Sequence, residues 1–258
     1  MTDDVSEDVS DAATKTAATD HGSPPDITPD GRGPSVPTVT QLMFAELVGT
    51  FGLVYCACGA MLTSGNVAAI GLAWGLAVAA MIFAIGPISG AHINPAVSFG
   101  FALHGSFRWS LMPAYVAAQF VGALAGVVAT VLTFSVGEIT PAQIGVAIGT
   151  FPARSDAAAA AFVAEVLHTT VLMLVILRVA FNAKGEGLKA GLAIGSTVGL
   201  LALAGGAAGA SMNPARTVWC NLLTDRAWLE IYFVAPFLGA AIAVGIDRLL
   251  GRSDEVVD

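Results

Sequence analysis

The chain has 258 residues, 55% of them hydrophobic and only 12% charged, with a formal net charge of −8 and a mean hydropathy of +0.76. Soluble domains carry about 25% charged residues, so this composition excludes an ordinary water-soluble enzyme or binding domain. A polytopic membrane protein without a nucleic-acid partner is expected.

The charge is concentrated at one end. Residues 1–40 hold eight acids (Asp3, Asp4, Glu7, Asp8, Asp11, Asp20, Asp26, Asp30) against Lys15 and Arg32, a net −6, which leaves the rest nearly neutral. The segment is rich in Asp, Thr, Ser, Pro and Gly and has no apolar core, so it is expected to be a disordered acidic tail. It lacks the basic and apolar regions of a signal peptide. A solubilising extension is the plain reading; adaptation to a salt-rich habitat and a partner-binding tail are the alternatives.

Six apolar runs follow, near 42–62, 67–86, 111–134, 157–181, 188–206 and 228–250; a membrane span needs about 20 residues. The chain repeats itself. Span 1 carries Phe44-Ala45-Glu46-Leu47 and span 4 carries Val163-Ala164-Glu165-Val166. Gly71-Leu72-Ala73-Trp74-Gly75 in span 2 matches Gly191-Leu192-Ala193-Ile194-Gly195 in span 5, and Tyr115, Phe120 and Gly122 return as Tyr232, Phe237 and Gly239. The domains are therefore a tail (1–40), a membrane unit (41–251) of two repeats (41–134 and 157–250), and a short C-terminal tail (252–258). Three spans per repeat place the second copy upside down, an inverted repeat. With both termini cytoplasmic, eight of the eleven basic residues lie inside and only Arg154, Arg216 and Arg226 outside, in agreement with the positive-inside rule.

After span 2 comes Ser89-Gly90-Ala91-His92-Ile93-Asn94-Pro95-Ala96-Val97; after span 5 comes Gly209-Ala210-Ser211-Met212-Asn213-Pro214-Ala215-Arg216-Thr217. Asn as cap and Pro at the first helical position mark a helix start. The apolar runs that follow are too short to cross a bilayer, so each reads as a half-helix entering from one side. Glu46 lies 48 residues before Asn94, and Glu165 lies 48 before Asn213. This matched spacing suggests that Glu46 and Glu165 accept hydrogen bonds from the N–H groups of the two loops. A proton relay is the rival reading, since intramembrane acids are costly and usually functional, but no further acid or base stands in series.

Paired Asn-Pro-Ala boxes in a six-span repeat resemble the major intrinsic protein family, the aquaporins and glycerol facilitators. The likeness spans roughly residues 41–250. It implies an all-helical membrane channel of six transmembrane helices and two half-helices, assembled as a homotetramer in the plasma membrane. No cofactor or metal is expected, and nothing argues for an enzyme. The partners are water, small neutral solutes and the lipid bilayer.

Asn94 and Asn213 offer amide donors at the positive ends of two half-helix dipoles. They are expected to hold a solute oxygen at mid-pore while the field repels cations and protons; serving only as caps is the alternative. Arg216 alone would read as a snorkelling cation. The resemblance makes it the cationic wall of a selectivity filter completed by Trp74, Ala210 and either Leu201 or Ala202. Water-specific relatives usually have Phe and His where this chain has Trp74 and Leu201, which favours solutes with an alkyl backbone. Yet Thr217 stands where glycerol facilitators have Asp, and Tyr232-Phe233 looks like the aromatic pair of water channels.

His92 is expected to brace its loop, with pH gating as the alternative. His168 reads as packing or pairing beside Glu165. Cys56, Cys58 and Cys220 read as buried small hydrophobes. The leading expectation is passive conduction of glycerol-like polyols and water, with protons and ions excluded. A water-selective pore is the alternative; an ion-coupled transporter and a scaffold are the remote ones.

Overall fold

The computed structural model describes residues 36–64, 66–135, 140–148, 155–182, 187–205, 209–223 and 228–251. The expected acidic tail, except for residues 36–40, and the C-terminal tail fall outside the described residues, as do Arg154, Lys184 and Arg226. The described residues from Pro37 onward form one helical unit.

Its long helices are α1 (Val39–Thr63), α2 (Val67–Ser89), α4 (Met112–Phe134), α6 (Ala158–Asn182), α7 (Gly187–Ala204) and α9 (Leu229–Leu250). Two half-helices, α3 (Pro95–His104) and α8 (Pro214–Leu222), follow the Asn-Pro boxes, and α5 (Pro141–Ile148) lies between the repeats. Among the described residues, five of the long helices are long and apolar enough to cross a membrane. The sixth, α7, has 18 residues, or about 27 Å of helix, against a hydrocarbon core of about 30 Å. The half-helices have 10 and 9 residues and reach about 15 Å at most.

Local sequence sets the helix starts. Thr38 and Gln41 form a capping box: Gln41 N donates to Thr38 Oγ1 at 3.3 Å, and Thr38 N donates to Gln41 Oε1 at 2.8 Å. Thr140 and Gln143 repeat it at the head of α5. Asn66 caps α2 through bonds from Ala68 N and Ala69 N. Capping satisfies N–H groups that the helix itself leaves without partners.

Packing follows the repeat. α1 lies against α4 and α2, α6 lies against α9 and α7, and α2 meets α7 between them. Close approach needs residues without a side chain. A Cβ at Gly122 would lie 2.3 Å from Leu47 O, and one at the matching Gly239 would lie 2.5 Å from Val166 O. Small residues let backbones touch where no hydrophobic force drives helices together in lipid. The bundle's outer face is apolar: Phe44, Leu72, Leu76, Leu132, Leu167 and Leu200 are all exposed. Its interior holds Glu46, Gln119, Glu165, Asn94 and Asn213. In water this would be a large unfavourable exposure; against acyl chains it is the expected surface. Thr50 and Thr169 occupy matching places in α1 and α6, and each donates its hydroxyl to the carbonyl of the glutamate four residues earlier.

Candidate channel site

The two loops before α3 and α8 have the same backbone. Gly90, Ala91 and Ile93 have φ of 85°, 49° and 43°; Gly209, Ala210 and Met212 have 68°, 50° and 54°. Left-handed backbone is costly outside glycine, and most unusual for a β-branched residue such as Ile93. It points successive N–H groups the same way, toward a buried carboxylate. Glu46 Oε1 accepts from His92 N at 2.9 Å and from the Ser89 hydroxyl at 2.8 Å; its Oε2 accepts from Ile93 N at 2.7 Å. Glu165 accepts from Ser211 N at 2.5 Å and from Met212 N at 2.8 Å. Buried charge is tolerable only when so bonded.

The two loops meet. Asn94 Oδ1 accepts from Ala96 N, while its Nδ2 donates across the pseudo-twofold to Met212 O at 2.8 Å. Asn213 Oδ1 accepts from Ala215 N and Arg216 N, while its Nδ2 donates to Ile93 O at 2.9 Å. Each asparagine is thus both a cap and a tie to the opposite loop. One amide hydrogen on each remains for a ligand.

Beside this seam runs a cavity of about 150 Å³. Its lining includes the apolar Leu53, Val78, Ile82, Leu172, Ile176 and Val198; polar groups come from His92, Asn94, Ser211, Asn213 and Arg216. Trp74 also lines it, and the Arg216 guanidinium carbon lies 4.4 Å from the centre of a Trp74 ring. Arg216 is buried, reaches Thr217 Oγ1 at 3.4 Å, and has an Nε without a partner. The ring face compensates the desolvated cation.

Trp74, His92, Asn94, Asn213 and Arg216 are therefore brought together around one cavity. Pro95, Ala96, Pro214 and Ala215 form the buried starts of the half-helices. Leu201 and Ala202 pack half-buried against the core, and Ala210 is buried in the loop; none of the three lines this cavity. His168 is half-buried with Nδ1 unbonded, so it packs without pairing to Glu165. Of the cysteines, Cys58 and Cys220 are buried, but Cys56 is exposed. The expectation of a buried Cys56 fails because it lies on the outer face of α1.

Several supporting residues escaped the sequence reading. Gln119 on α4 donates from Nε2 to Glu46 Oε2 at 2.8 Å and to Ser98 Oγ at 3.0 Å. Ser98 in turn bonds His92 Nδ1 at 3.0 Å, and Tyr115 donates to Ser89 O at 2.8 Å. In the second repeat Ser211 pairs with Thr217 in the place of His92 and Ser98. A lone amide within an apolar span was the available signal for Gln119. Trp219 Nε1 donates to Phe120 O at 2.7 Å, fixing α8 to α4.

A membrane helix bundle in which two capped half-helices meet head to head beside a lined cavity defines a channel-type protein. The family model described as major intrinsic protein matches residues 35–246. "Putative aquaporin NIP4-1" of Arabidopsis thaliana is 39% identical over 232 residues, covering 86% of this chain and 78% of that protein. "Aquaporin NIP1-4" of Oryza sativa subsp. japonica is 40% identical over 228 residues, covering 84% and 81%. The X-ray structure of the aquaglyceroporin from Plasmodium falciparum aligns with a TM-score of 0.70 at 29% identity, covering 81% of this chain and 95% of that one. The chain belongs to the major intrinsic protein family and has the aquaporin fold.

Proposed function

We propose that the protein conducts small uncharged solutes passively, glycerol-like polyols together with water, and excludes protons and ions. The observation that carries this is the mixed lining of the cavity, in which alkyl side chains share one space with the amides of Asn94 and Asn213 and the Trp74–Arg216 pair. A polyol can lay its carbon chain against the alkyl side chains and direct its hydroxyls to the amides and Arg216. Positive charge from Arg216 and the two half-helix N-termini opposes cations.

Helix periodicity supports Leu201 as the remaining filter position. Ala190, Ile194 and Val198 all face the cavity from α7. At about 100° per residue, Leu201 lies roughly 20° from the centre of that face and Ala202 roughly 80°. A filter of Trp74, Leu201, Ala210 and Arg216 has one cation and three carbon-rich walls. A homotetramer in the plasma membrane, which membership of the family implies, completes the proposal, and the distribution of basic residues supports cytoplasmic termini.

The test is stopped-flow light scattering on proteoliposomes under separate sucrose and glycerol gradients. Wild type should re-swell rapidly in glycerol, and Trp74→Phe/Leu201→His should lose that flux while keeping water flow. Water flow without glycerol re-swelling in wild type would refute the polyol reading and leave a water-selective pore. Uptake that saturates and collapses with an ion gradient would point instead to a coupled transporter.

A further inference from the structure

One pair of reactive side chains lies outside the machinery described so far. Cys58 on α1 and Cys220 on α8 are 162 residues apart in sequence, yet their sulfurs lie 3.9 Å from each other. Both are completely buried, whereas Cys56 is exposed. The pair joins the first span of one repeat to the half-helix of the other. Cys220 follows Arg216 by four residues, one turn along the same face of α8, and Arg216 lines the cavity. The two thiols therefore sit behind the pore wall at the one charged residue of the proposed filter.

We propose that Cys58 and Cys220 form a dithiol modification site, oxidised by hydroperoxides to a disulfide that ties α1 to α8 and throttles the pore beside Arg216. For the oxidant's entry and for the effect on flux, this rests on the channel reading above. One thiol gives up its proton and attacks the peroxide, so that an S–O bond forms, the O–O bond breaks, and hydroxide leaves to take up that proton as water. The second thiol then attacks the resulting sulfenic sulfur; an S–S bond forms, the S–O bond breaks, and a second water departs. Two thiols are oxidised by two electrons, and hydrogen peroxide is reduced to two waters.

The geometry gives the modification a mechanical consequence. A disulfide holds its sulfurs about 2.0 Å apart, so closing the 3.9 Å gap turns the two side chains toward each other and pulls on the helices that carry them. α1 has 25 residues and packs along α4 and α2, while α8 has nine. The shorter element yields, and it carries Arg216 with it, one turn from the new bond. The Arg216–Trp74 contact at 4.4 Å is the part of the wall that this displacement reaches first.

Full-length protein in proteoliposomes would be treated with hydrogen peroxide, alkylated and peptide-mapped, with solute flux measured in parallel. The expected result is a Cys58–Cys220 linked peptide with a mass loss of about 2 Da, and a loss of flux that dithiothreitol restores. Cys58→Ala and Cys220→Ala, each conducting normally when reduced, should both abolish the peroxide effect; Cys56→Ala should retain it. Cysteines packed only as small apolar groups would stay fully alkylatable after denaturation, which would overturn the site. A linked peptide with unchanged flux would overturn the control of the pore. Mapping does not depend on conduction: a linked peptide in a protein that passes no solute even when reduced would count against the channel reading and leave the dithiol site standing.

Discussion

Removing the Glu46 carboxylate tests whether it holds the first loop. Glu46→Leu leaves four donors without their acceptor, but two can recover: the Ser89 hydroxyl has Ile85 O at 3.5 Å, and Gln119 keeps Ser98 Oγ at 3.0 Å. His92 N and Ile93 N have no substitute. Two buried unpaired N–H groups cost about 2–6 kcal/mol in sum, a large part of a typical stability of about 5–15 kcal/mol. The strained Ile93 loses the bond that holds it, and Ala91, which donates to Ser89 Oγ at 3.1 Å, loses the carboxylate that anchors Ser89. Glu46→Gln is milder. Its carboxamide presents one oxygen, and Gln119 can turn its unbonded Oε1 to meet the new NH2. One backbone N–H is still lost, at about 1–3 kcal/mol, or roughly 2–12 °C in Tm. Thermal unfolding of the detergent-solubilised protein, followed by size-exclusion chromatography with fluorescence detection, measures both variants. Wild type should exceed Glu46→Gln, and Glu46→Gln should exceed Glu46→Leu. A Glu46→Leu protein unfolding within about 2 °C of wild type would refute the claim that the carboxylate holds the loop.

Three further outcomes are expected. Gly122→Ala and Gly239→Ala should each destabilise by about 1–3 kcal/mol, because their Cβ atoms meet backbone carbonyls at 2.3 and 2.5 Å, while Gly245→Ala, with open space around it, should be neutral in the same melting assay. Asn94→Ala and Asn213→Ala each break one of the two reciprocal ties, so their losses of stability should be non-additive by about 0.5–3 kcal/mol in a double-mutant cycle; strict additivity would contradict a shared seam. Arg216→Val removes the buried cation beside Trp74 and should raise proton or cation leak across proteoliposomes, read with an entrapped pH dye; an unchanged leak would show that exclusion resides elsewhere.

Much of the architecture was visible in the chain because a duplication writes each signal twice. A single Asn-Pro pair is weak, but two of them, each 48 residues after an acid in an apolar run, define loops, half-helices and their support together. What escaped detection was mostly unpaired. Gln119 has no counterpart in the second repeat, where the matching position is Pro236 within α9. The Cys58–Cys220 approach joins different elements of different repeats, and no spacing rule predicts it. α5 was overlooked although Thr140-x-x-Gln143 signals a capping box, as Thr38-x-x-Gln41 does for α1. Between Leu201 and Ala202, spacing from Asn213 left both open; Ala190, Ile194 and Val198 line the cavity from α7, and the proposal of Leu201 rests on their periodicity.

The crossed bonds from Asn94 to Met212 O and from Asn213 to Ile93 O also bear on how the protein is made. Translation delivers the first loop well over a hundred residues before its partner, so when α3 first reaches the membrane both its spare amide and its Ile93 carbonyl face an empty place. Neither loop can finish at birth. The first loop has its own support in Glu46 and Gln119, but its crossed bonds need the second loop, and each loop supplies what the other lacks. A polypeptide arrested between the repeats would leave a hydrophobic fragment exposing unpaired polar groups in lipid, the kind of surface that membrane quality control removes.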